Sequence, residues 1–158
     1  MTEGFVVPKH PIAIKLKLAW LPVMELDLYL AEHAARHTGA EHPSDVLNGN
    51  DLFIPARDSD GGRHLLFQRT EVMVISVEAK YEERQVDEGE SEEGATTIDV
   101  ELTLEDGTRV EGTISYWRPP GQRRLQDYLN TSEQFVRIRE GDTVHVVNRD
   151  KIVSVSAR

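Results

Sequence analysis

The chain has 158 residues, no cysteine and a formal net charge of -10, with 39% hydrophobic and 29% charged residues. This length allows one domain or two small ones, and the lack of cysteine excludes disulfides and thiolate metal sites. A net anion gains little by releasing counterions from a phosphate backbone, which disfavours nucleic-acid partners. Neither a signal-peptide pattern nor an apolar run of bilayer length is present, so we expect a cytoplasmic protein without membrane contact.

The chain begins with a predicted N-terminal arm, residues 1–11, and a strand pattern follows it directly. Every second residue is large and apolar along residues 12–20 and again along residues 24–30. This alternation predicts two half-buried strands. We expect the second strand to end near Leu30 and a short helix or loop to follow, because the alanines there favour a helical turn. Residues 12–81 form the first predicted β-barrel repeat.

Residues 82–95 are predicted to be an acidic linker. The stretch Glu82–Gly94 holds seven acids and one base, a local charge of -6, whereas the other 17 bases and 21 acids sum to -4. Such a polar, glycine-containing segment has little apolar surface to bury, so we expect it to be mobile. The acid pairs Glu82–Glu83 and Glu105–Asp106 fall in a linker and a turn, where tuning of their pKa values by burial is not expected.

The clearest β pattern lies in residues 96–158, the second predicted repeat. Ile98 begins an apolar/polar alternation that runs to Leu104, and Asp106–Gly107 is typical of a tight hairpin turn. Gly141 marks a second turn between two β-branched runs. Five short strands joined by tight turns predict a small, strongly bent antiparallel barrel.

The two halves share a pattern that predicts an internal duplication. The matching positions are Ile14 with Ile98, Asp45-Val-Leu-Asn48 with Asp127-Tyr-Leu-Asn130, Phe53 with Phe135, and Gln68-Arg69 with Asn148-Arg149. The offset between the halves changes only in loops, so the predicted strands stay in phase. The expected fold class is therefore mainly all-β, with two tandem five-stranded barrels side by side or joined as one pseudo-symmetric sandwich.

The repeat resembles the Sm-like family of small, open, SH3-like β-barrels. One family motif has a glycine turn, a second glycine on the next strand, and then an Asp and an Asn before the third strand. Its matches here are Gly107, Gly112, Asp127 and Asn130. A second motif places Arg-Gly between two apolar strands; Arg149 matches the Arg, but Asp150 stands where the family has Gly.

The resemblance implies RNA binding through that Asn and Arg. A nucleotide pocket would then form at Asn130 and Arg149, and in the first repeat at Asn48 and Arg69. The alternative is that the Asn side chains cap turns and the Arg side chains pair with nearby carboxylates.

The loop from Ser115 to Arg124 is the most distinctive candidate for binding a partner. Aromatic rings beside guanidinium groups are typical of protein hot spots and of sites for planar or anionic groups. The candidate partner-binding residues are Tyr116, Trp117, Arg118, Arg123 and Arg124. The alternative is that Trp117 folds back onto the barrel and the arginines are merely solvated.

Histidines in the first half are weak candidates for a metal site. His33 and His37 are four residues apart, which places both on one face if the segment is helical, and Glu41 and His42 lie nearby. The alternative is a set of surface histidines in a flexible loop. No carboxylate is in an obvious position to complete the site, so we expect no metal and no other cofactor.

Motifs for catalysis are lacking, including a phosphate-binding loop, a nucleophile elbow and a zinc-protease signature. We therefore expect a non-enzymatic scaffold or adaptor that binds a protein partner through edge strands or through the Ser115–Arg124 loop. Self-association as a homo-oligomer is possible, since small barrels leave strand edges unpaired. An Sm-like RNA-binding module and a metal-responsive binding protein remain as alternatives.

Overall fold

The structure, a computed structural model, describes residues 8–35, 37, 39–83, 95–121 and 123–158. Most of the predicted arm and of the predicted acidic linker lies outside these residues. Within them, no helix has the length and apolar character needed to cross a bilayer.

Ten antiparallel strands in the described part of the chain form a single sheet, which confirms the all-β class. The first half contributes β1 (Lys9–Leu18), β2 (Met24–Ala31), β3 (Phe53–Asp58), β4 (His64–Gln68) and β5 (Val72–Glu78). The second half contributes β6 (Thr96–Leu104), β7 (Arg109–Tyr116), β8 (Phe135–Glu140), β9 (Thr143–Asn148) and β10 (Ile152–Ala157). Two short helices, α1 (Pro43–Leu47) and α2 (Leu125–Thr131), precede β3 and β8.

Both halves have the same order of elements. A one-turn 3-10 helix, Arg69–Glu71 in the first half and Arg149–Lys151 in the second, leads into the last strand of each half. The order of strands across the sheet is β10-β6-β7-β8-β9-β5-β1-β2-β3-β4. Each half thus places its last strand beside its first, and the halves join where β9 pairs with β5. A common ancestry of the halves stays a prediction.

The hairpin predicted at Asp106–Gly107 connects β6 to β7. Gly107 has a φ of +85°, a left-handed conformation that glycine adopts without steric cost. Its N–H donates to the Leu104 carbonyl at 2.9 Å, and the Asp106 carboxylate accepts from the Thr108 N–H at 3.0 Å. Local sequence chemistry therefore accounts for this turn.

The apolar faces form two hydrophobic clusters, one for each half. The first cluster contains residues from β1 to β5, together with Phe135, Val144 and Val146 of the second half. The second contains residues from β6 to β9, together with Met73 and Val74 of the first half. Among the described residues the helices α1 and α2 are too short to cover these faces by themselves. Each half of the sheet must therefore bend around its own core to bury the residues of its cluster.

Glu82, which begins the predicted linker, is buried and not solvated. Its carboxylate accepts hydrogen bonds from the Ser44 N–H at 2.6 Å and the Ser44 hydroxyl at 2.8 Å, and lies 3.6 Å from the Arg137 guanidinium. Loss of hydration outweighs these contacts and raises the pKa of Glu82 above its usual 4.5. The expectation that burial would not tune these acids is wrong here, because the chain after β5 packs between α1 and β8.

The surroundings of Asp106 also change its pKa, but they lower it, whereas those of Glu82 raise it. Its side chain is almost fully covered, and loss of hydration by itself would raise its pKa. Hydrogen bonds from Thr108, from the Lys17 ammonium at 3.3 Å and from the Trp20 N–H at 3.4 Å outweigh that effect and lower the pKa of Asp106 to about 2. The β6–β7 turn is thereby held against the β1–β2 turn of the other half.

The burial of Glu82 predicts a distinctive pH dependence of stability. Since the folded protein holds this proton more tightly than the unfolded chain, the contribution to stability is present below pH 4.5. It is lost as the pH rises through the raised folded pKa, with a slope of up to about 1.4 kcal/mol per pH unit in that window. Glu82→Gln cannot titrate, so its urea-unfolding free energy should lack this falling component above pH 4.5.

The matched control is Glu83→Gln, which removes one carboxylate from the exposed neighbouring position. Its curve of unfolding free energy against pH should run parallel to that of the wild type. A Glu82→Gln curve that also runs parallel to the wild type would contradict the raised pKa.

Candidate functional site

The junction between the halves is a regular piece of antiparallel sheet. β5 and β9 pair over five residues, from Val74 opposite Val147 to Glu78 opposite Thr143. Val146 and Ile75 lie opposite each other in the second of these five pairs, and both are fully buried. This shows how one half of the chain binds a strand edge of the other.

Two asparagines, the half-buried Asn48 and the buried Asn148, lock the junction with hydrogen bonds to backbone groups. Asn48, at the end of α1, accepts from the Phe135 N–H at 2.8 Å and donates to the Phe135 carbonyl at 3.2 Å. Asn148, at the end of β9, donates to the carbonyls of Thr70 and Val72 at 3.3 and 3.0 Å. Each amide thereby fixes a strand end of one half against the other half.

The nucleotide-binding candidates of the first half, Asn48 and Arg69, both have partners within the chain. The Arg69 guanidinium donates to the Asp51 carbonyl at 3.1 Å and to the Gln134 side-chain oxygen at 2.8 Å. Asn48 is engaged with Phe135 as described above. These two side chains hold the junction together rather than facing an open pocket.

The candidates of the second half, Asn130 and Arg149, line one cleft together. Asn130 is exposed on α2, and Arg149 donates to the carbonyls of Leu129 and Ser132 at 3.2 and 2.6 Å. The cleft has a volume of about 490 Å³ and runs along the start of β10; it is lined by Leu129, Asn130, Arg149, Asp150, Ile152, Val153, Ser154 and Val155. We call it the β10 cleft.

The predicted partner-binding loop splits into a buried and an exposed part. Tyr116 is only 5% exposed, stacks on Tyr128 with ring centroids 4.5 Å apart, and donates its hydroxyl to the Arg123 carbonyl at 2.7 Å. The expectation that Tyr116 presents a stacking surface is therefore wrong, because its ring is used to hold α2. Trp117, in contrast, is exposed and does not fold back onto the barrel.

The three arginines of this loop lie on its surface. The Arg118 guanidinium sits 5.7 Å above the Tyr128 ring, and Arg123 donates to the Arg118 carbonyl at 3.3 Å. Arg124 is exposed at the start of α2. Together with Trp117 they form a basic, aromatic patch at one side of the second half.

Of the metal candidates His33 and His37, only His37 belongs to a group of potential metal ligands among the described residues. His33 is exposed, and the described residues around it form bends instead of the helix that would align the pair. His37 instead meets His42 and Asp45, with ligand atoms that all lie within 4.8 Å of one another. The expectation that no carboxylate completes the site is wrong, because Asp45 enters the cluster from α1.

Hydrogen bonds account for the geometry of the His37–His42–Asp45 cluster. The Asp45 carboxylate lies 2.6 Å from Nε2 of His37 and accepts from the His42 N–H at 2.8 Å. Loss of hydration alone would raise the pKa of Asp45, but these contacts outweigh it and lower the pKa below 3.8. Two imidazoles and a carboxylate are chemically able to hold a divalent cation such as zinc.

One polar group was not anticipated from sequence. The Ser76 hydroxyl lies 2.6 Å from Nδ1 of His145, and Nε2 of His145 lies 3.2 Å from the Glu140 carboxylate. Ser76 and His145 are opposite each other in the β5–β9 pairing. Since they are about 70 residues apart in the chain, no local motif signals their contact.

The two outer strands of the sheet, β4 and β10, each pair with a single neighbour among the described residues. Leu66 on β4 is exposed, as are Leu52 and Phe53 at the adjoining start of β3; we call this surface the β4 edge. At the other end of the sheet, Val153 is exposed beside the β10 cleft. The signal in the sequence was an apolar residue at each of these strand positions, but alternation alone did not show that they lie uncovered.

Comparisons of the chain with protein-family models, with curated proteins and with solved structures find no match.

Proposed function

We propose that this protein is a non-enzymatic scaffold that binds a protein partner through the edges of β4 and β10 that no other described strand pairs with. The observation that carries the proposal is the pair of apolar strand edges at the two ends of the ten-stranded sheet. An unpaired edge presents backbone N–H and C=O groups that another strand can pair with, and the exposed side chains add apolar contact area.

The composition of these edges supports the proposal. Natural edge strands are commonly protected by lysines, prolines or inward-pointing charges. β10 has the sequence Ile-Val-Ser-Val-Ser-Ala and contains no charge, and β4 is His-Leu-Leu-Phe-Gln. Strands of this kind are expected to be covered in use, since uncovered ones promote aggregation.

Two other functions have weaker support. An RNA-binding module would use the β10 cleft, where Asn130 and Arg149 meet, but the net charge of -10 opposes it and Arg149 already donates to two carbonyls. A hydrolase would use Ser76 and His145, but β5 is paired on both sides at Ser76. The Ser76 backbone N–H therefore points into the sheet and is not placed to stabilise an oxyanion.

Photo-crosslinking in the native cell tests the proposal directly. A benzophenone amino acid replaces Leu66 on the β4 edge in one variant and Val153 on the β10 edge in another. The matched control places it at Trp117, an equally exposed position that belongs to neither edge strand. Discrete protein adducts at Leu66 and Val153, each identified by mass spectrometry, are the expected result.

An adduct at Trp117 with none at either edge would move the binding surface to the Ser115–Arg124 loop and overturn the proposal. Adducts of RNA instead of protein at Val153 would favour the RNA-binding alternative. Absence of any adduct at both edges would contradict a protein-binding role for them.

A further inference from the structure

We infer that the partner of these edges is a second copy of this chain, bound head to tail, with Phe53 of one copy in the β10 cleft of the next. The inference rests on the proposed function and names its partner. Its basis is the β5–β9 junction inside the chain, which already shows the same type of edge being covered.

Counterpart positions in the two halves follow from the elements. Phe53 begins β3 as Phe135 begins β8, and both follow a short helix that carries a Leu-Asn pair in its last turn or at its C-cap. The last residues of β4 and β9 are Gln68 and Asn148, each followed by an arginine that opens a 3-10 turn. The open β4 edge is thus the counterpart of the β9 side of the junction, and the open β10 edge is the counterpart of the β5 side.

Burial at the counterpart positions differs in one consistent way. The residues that the junction covers are Phe135 at 3%, Val146 at 0% and Met73 at 0% exposure. Their counterparts at the ends of the sheet are Phe53 at 54%, Leu66 at 66% and Val153 at 63% exposure. Of the five residues that one half places in the cluster of the other, these three have apolar but exposed counterparts, whereas the counterparts of Val144 and Val74 are the polar His64 and Ser154.

The β10 cleft has the parts needed to hold Phe53 of another copy. In the junction, Phe135 belongs to a core with Leu47 and Val72, and Asn48 bonds both of its backbone groups. The counterparts of Leu47, Val72, Asn48 and Arg69 are Leu129, Ile152, Asn130 and Arg149, and all four line the cleft. Asn130 is exposed, so its amide is placed to bond the Phe53 backbone as Asn48 bonds that of Phe135.

The same correspondence fixes the register of the new strand pair. Val146 lies opposite Ile75 in the junction, so Leu66 of one copy should lie opposite Val155 of the next. In this contact Gln68 of one copy takes the place that Asn148 has in the junction. Its side-chain amide can reach the carbonyls beside the Arg149–Lys151 turn of the next copy. Because the two surfaces differ, the contact is heterologous, and each copy leaves one surface open for a further copy.

Light scattering after size-exclusion chromatography tests the inference on the full chain and two single variants. Phe53→Lys places a charge on the β4 edge, and Val153→Lys places one beside the β10 cleft. Both residues are exposed within the chain, so neither change disturbs a core. The control is Trp117→Lys, the same change at an equally exposed position that the contact does not use.

The wild type and the control should exceed the monomer mass, whereas each edge variant alone should be a monomer. An equimolar mixture of the two edge variants should form a dimer and nothing larger, because one intact surface remains on each. This dimer is specific to a head-to-tail contact, since a symmetric contact of like edges would survive in one of the single variants.

A wild type that stays monomeric up to several hundred micromolar would overturn the inference, as would an edge variant that still associates. Photo-crosslinks from Leu66 to a different protein would then leave the proposed function standing. Absence of such crosslinks as well would remove both.

Discussion

Gly112→Ala is expected to destabilise the protein by about 3 kcal/mol. β8 crosses β7 so closely at this point that a Cβ on Gly112 would overlap the Arg139 carbonyl oxygen and lie 2.8 Å from Cγ2 of Ile138. The obstacle is mainly backbone, which cannot rotate away as a flexible side chain can. Relief of the overlap would require β7 and β8 to separate and would open the second core. Urea unfolding at pH 7, followed by circular dichroism, measures the effect.

Gly107→Ala is the matched control for this prediction. Gly107 has a left-handed φ of +85°, but a Cβ there meets nothing within 4 Å. Its substitution should cost only the strain of that conformation, about 1 kcal/mol. If the two substitutions destabilise the protein equally, close approach of β8 is not what requires glycine at position 112.

Asn148→Ala is the second change with a large expected effect, again about 3 kcal/mol. The Asn148 side chain is fully buried, donates to the Thr70 and Val72 carbonyls, and accepts from the Asp150 N–H at 3.0 Å. Its removal leaves two carbonyls and one N–H at the junction without their partner. The unfolding free energy should therefore fall, and hydrogen exchange of the β5 and β9 amides should accelerate.

The control is Gln68→Ala, the counterpart position at the end of β4. Gln68 is half-buried and has no strand of the other half beside it, so this change should cost less than about 0.5 kcal/mol. Both variants are measured in the Val153→Lys background, so that association of copies does not contribute. Equal losses for Asn148→Ala and Gln68→Ala would contradict the role assigned to the junction.

These variants address the feature on which both proposals depend. Asn148 and Asn48 show how a strand end of one half is held by an amide of the other. If the junction owes its stability to such bonds, the exposed Asn130 has the same capacity toward Phe53 of another copy. Asn130→Ala should then leave the unfolding free energy of the monomer unchanged.

The positions of the strands were predictable because alternation of apolar and polar residues is a local property. The alternating residues Ile98 to Leu104 lie in β6, Asp106–Gly107 makes the predicted turn, and Gly141 lies between β8 and β9. The similar order of elements in the two halves was predictable for the same reason. Residues such as Phe53 and Phe135, or Arg69 and Arg149, occur at corresponding positions of the two strand patterns. The helix α2 was not predicted, because the polar sequence around Gln126 and Asp127 carries no strong helical period.

The candidate site was predicted only in outline. The resemblance to Sm-like proteins implied that Asn130 and Arg149 are neighbours, and the structure places both in one cleft. The sequence also indicated that strand edges would be left open. It did not distinguish Asn48, locked in the junction, from Asn130, exposed on α2. The difference depends on what lies beside each residue in space, which the residue's own neighbours in the chain do not specify.

The amino-acid sequence by itself determined the all-β class, the turns at Asp106–Gly107 and Gly141, and the apolar faces of β1, β2 and β6. Only the tertiary structure decided that β5 pairs with β9, that Glu82 is buried against Ser44, and that His37 meets Asp45. Periodicity states which side of a strand avoids water, but the partner that covers it is chosen by long-range pairing and packing. The same physical reason leaves β4 and β10 each with one edge that no other described strand covers.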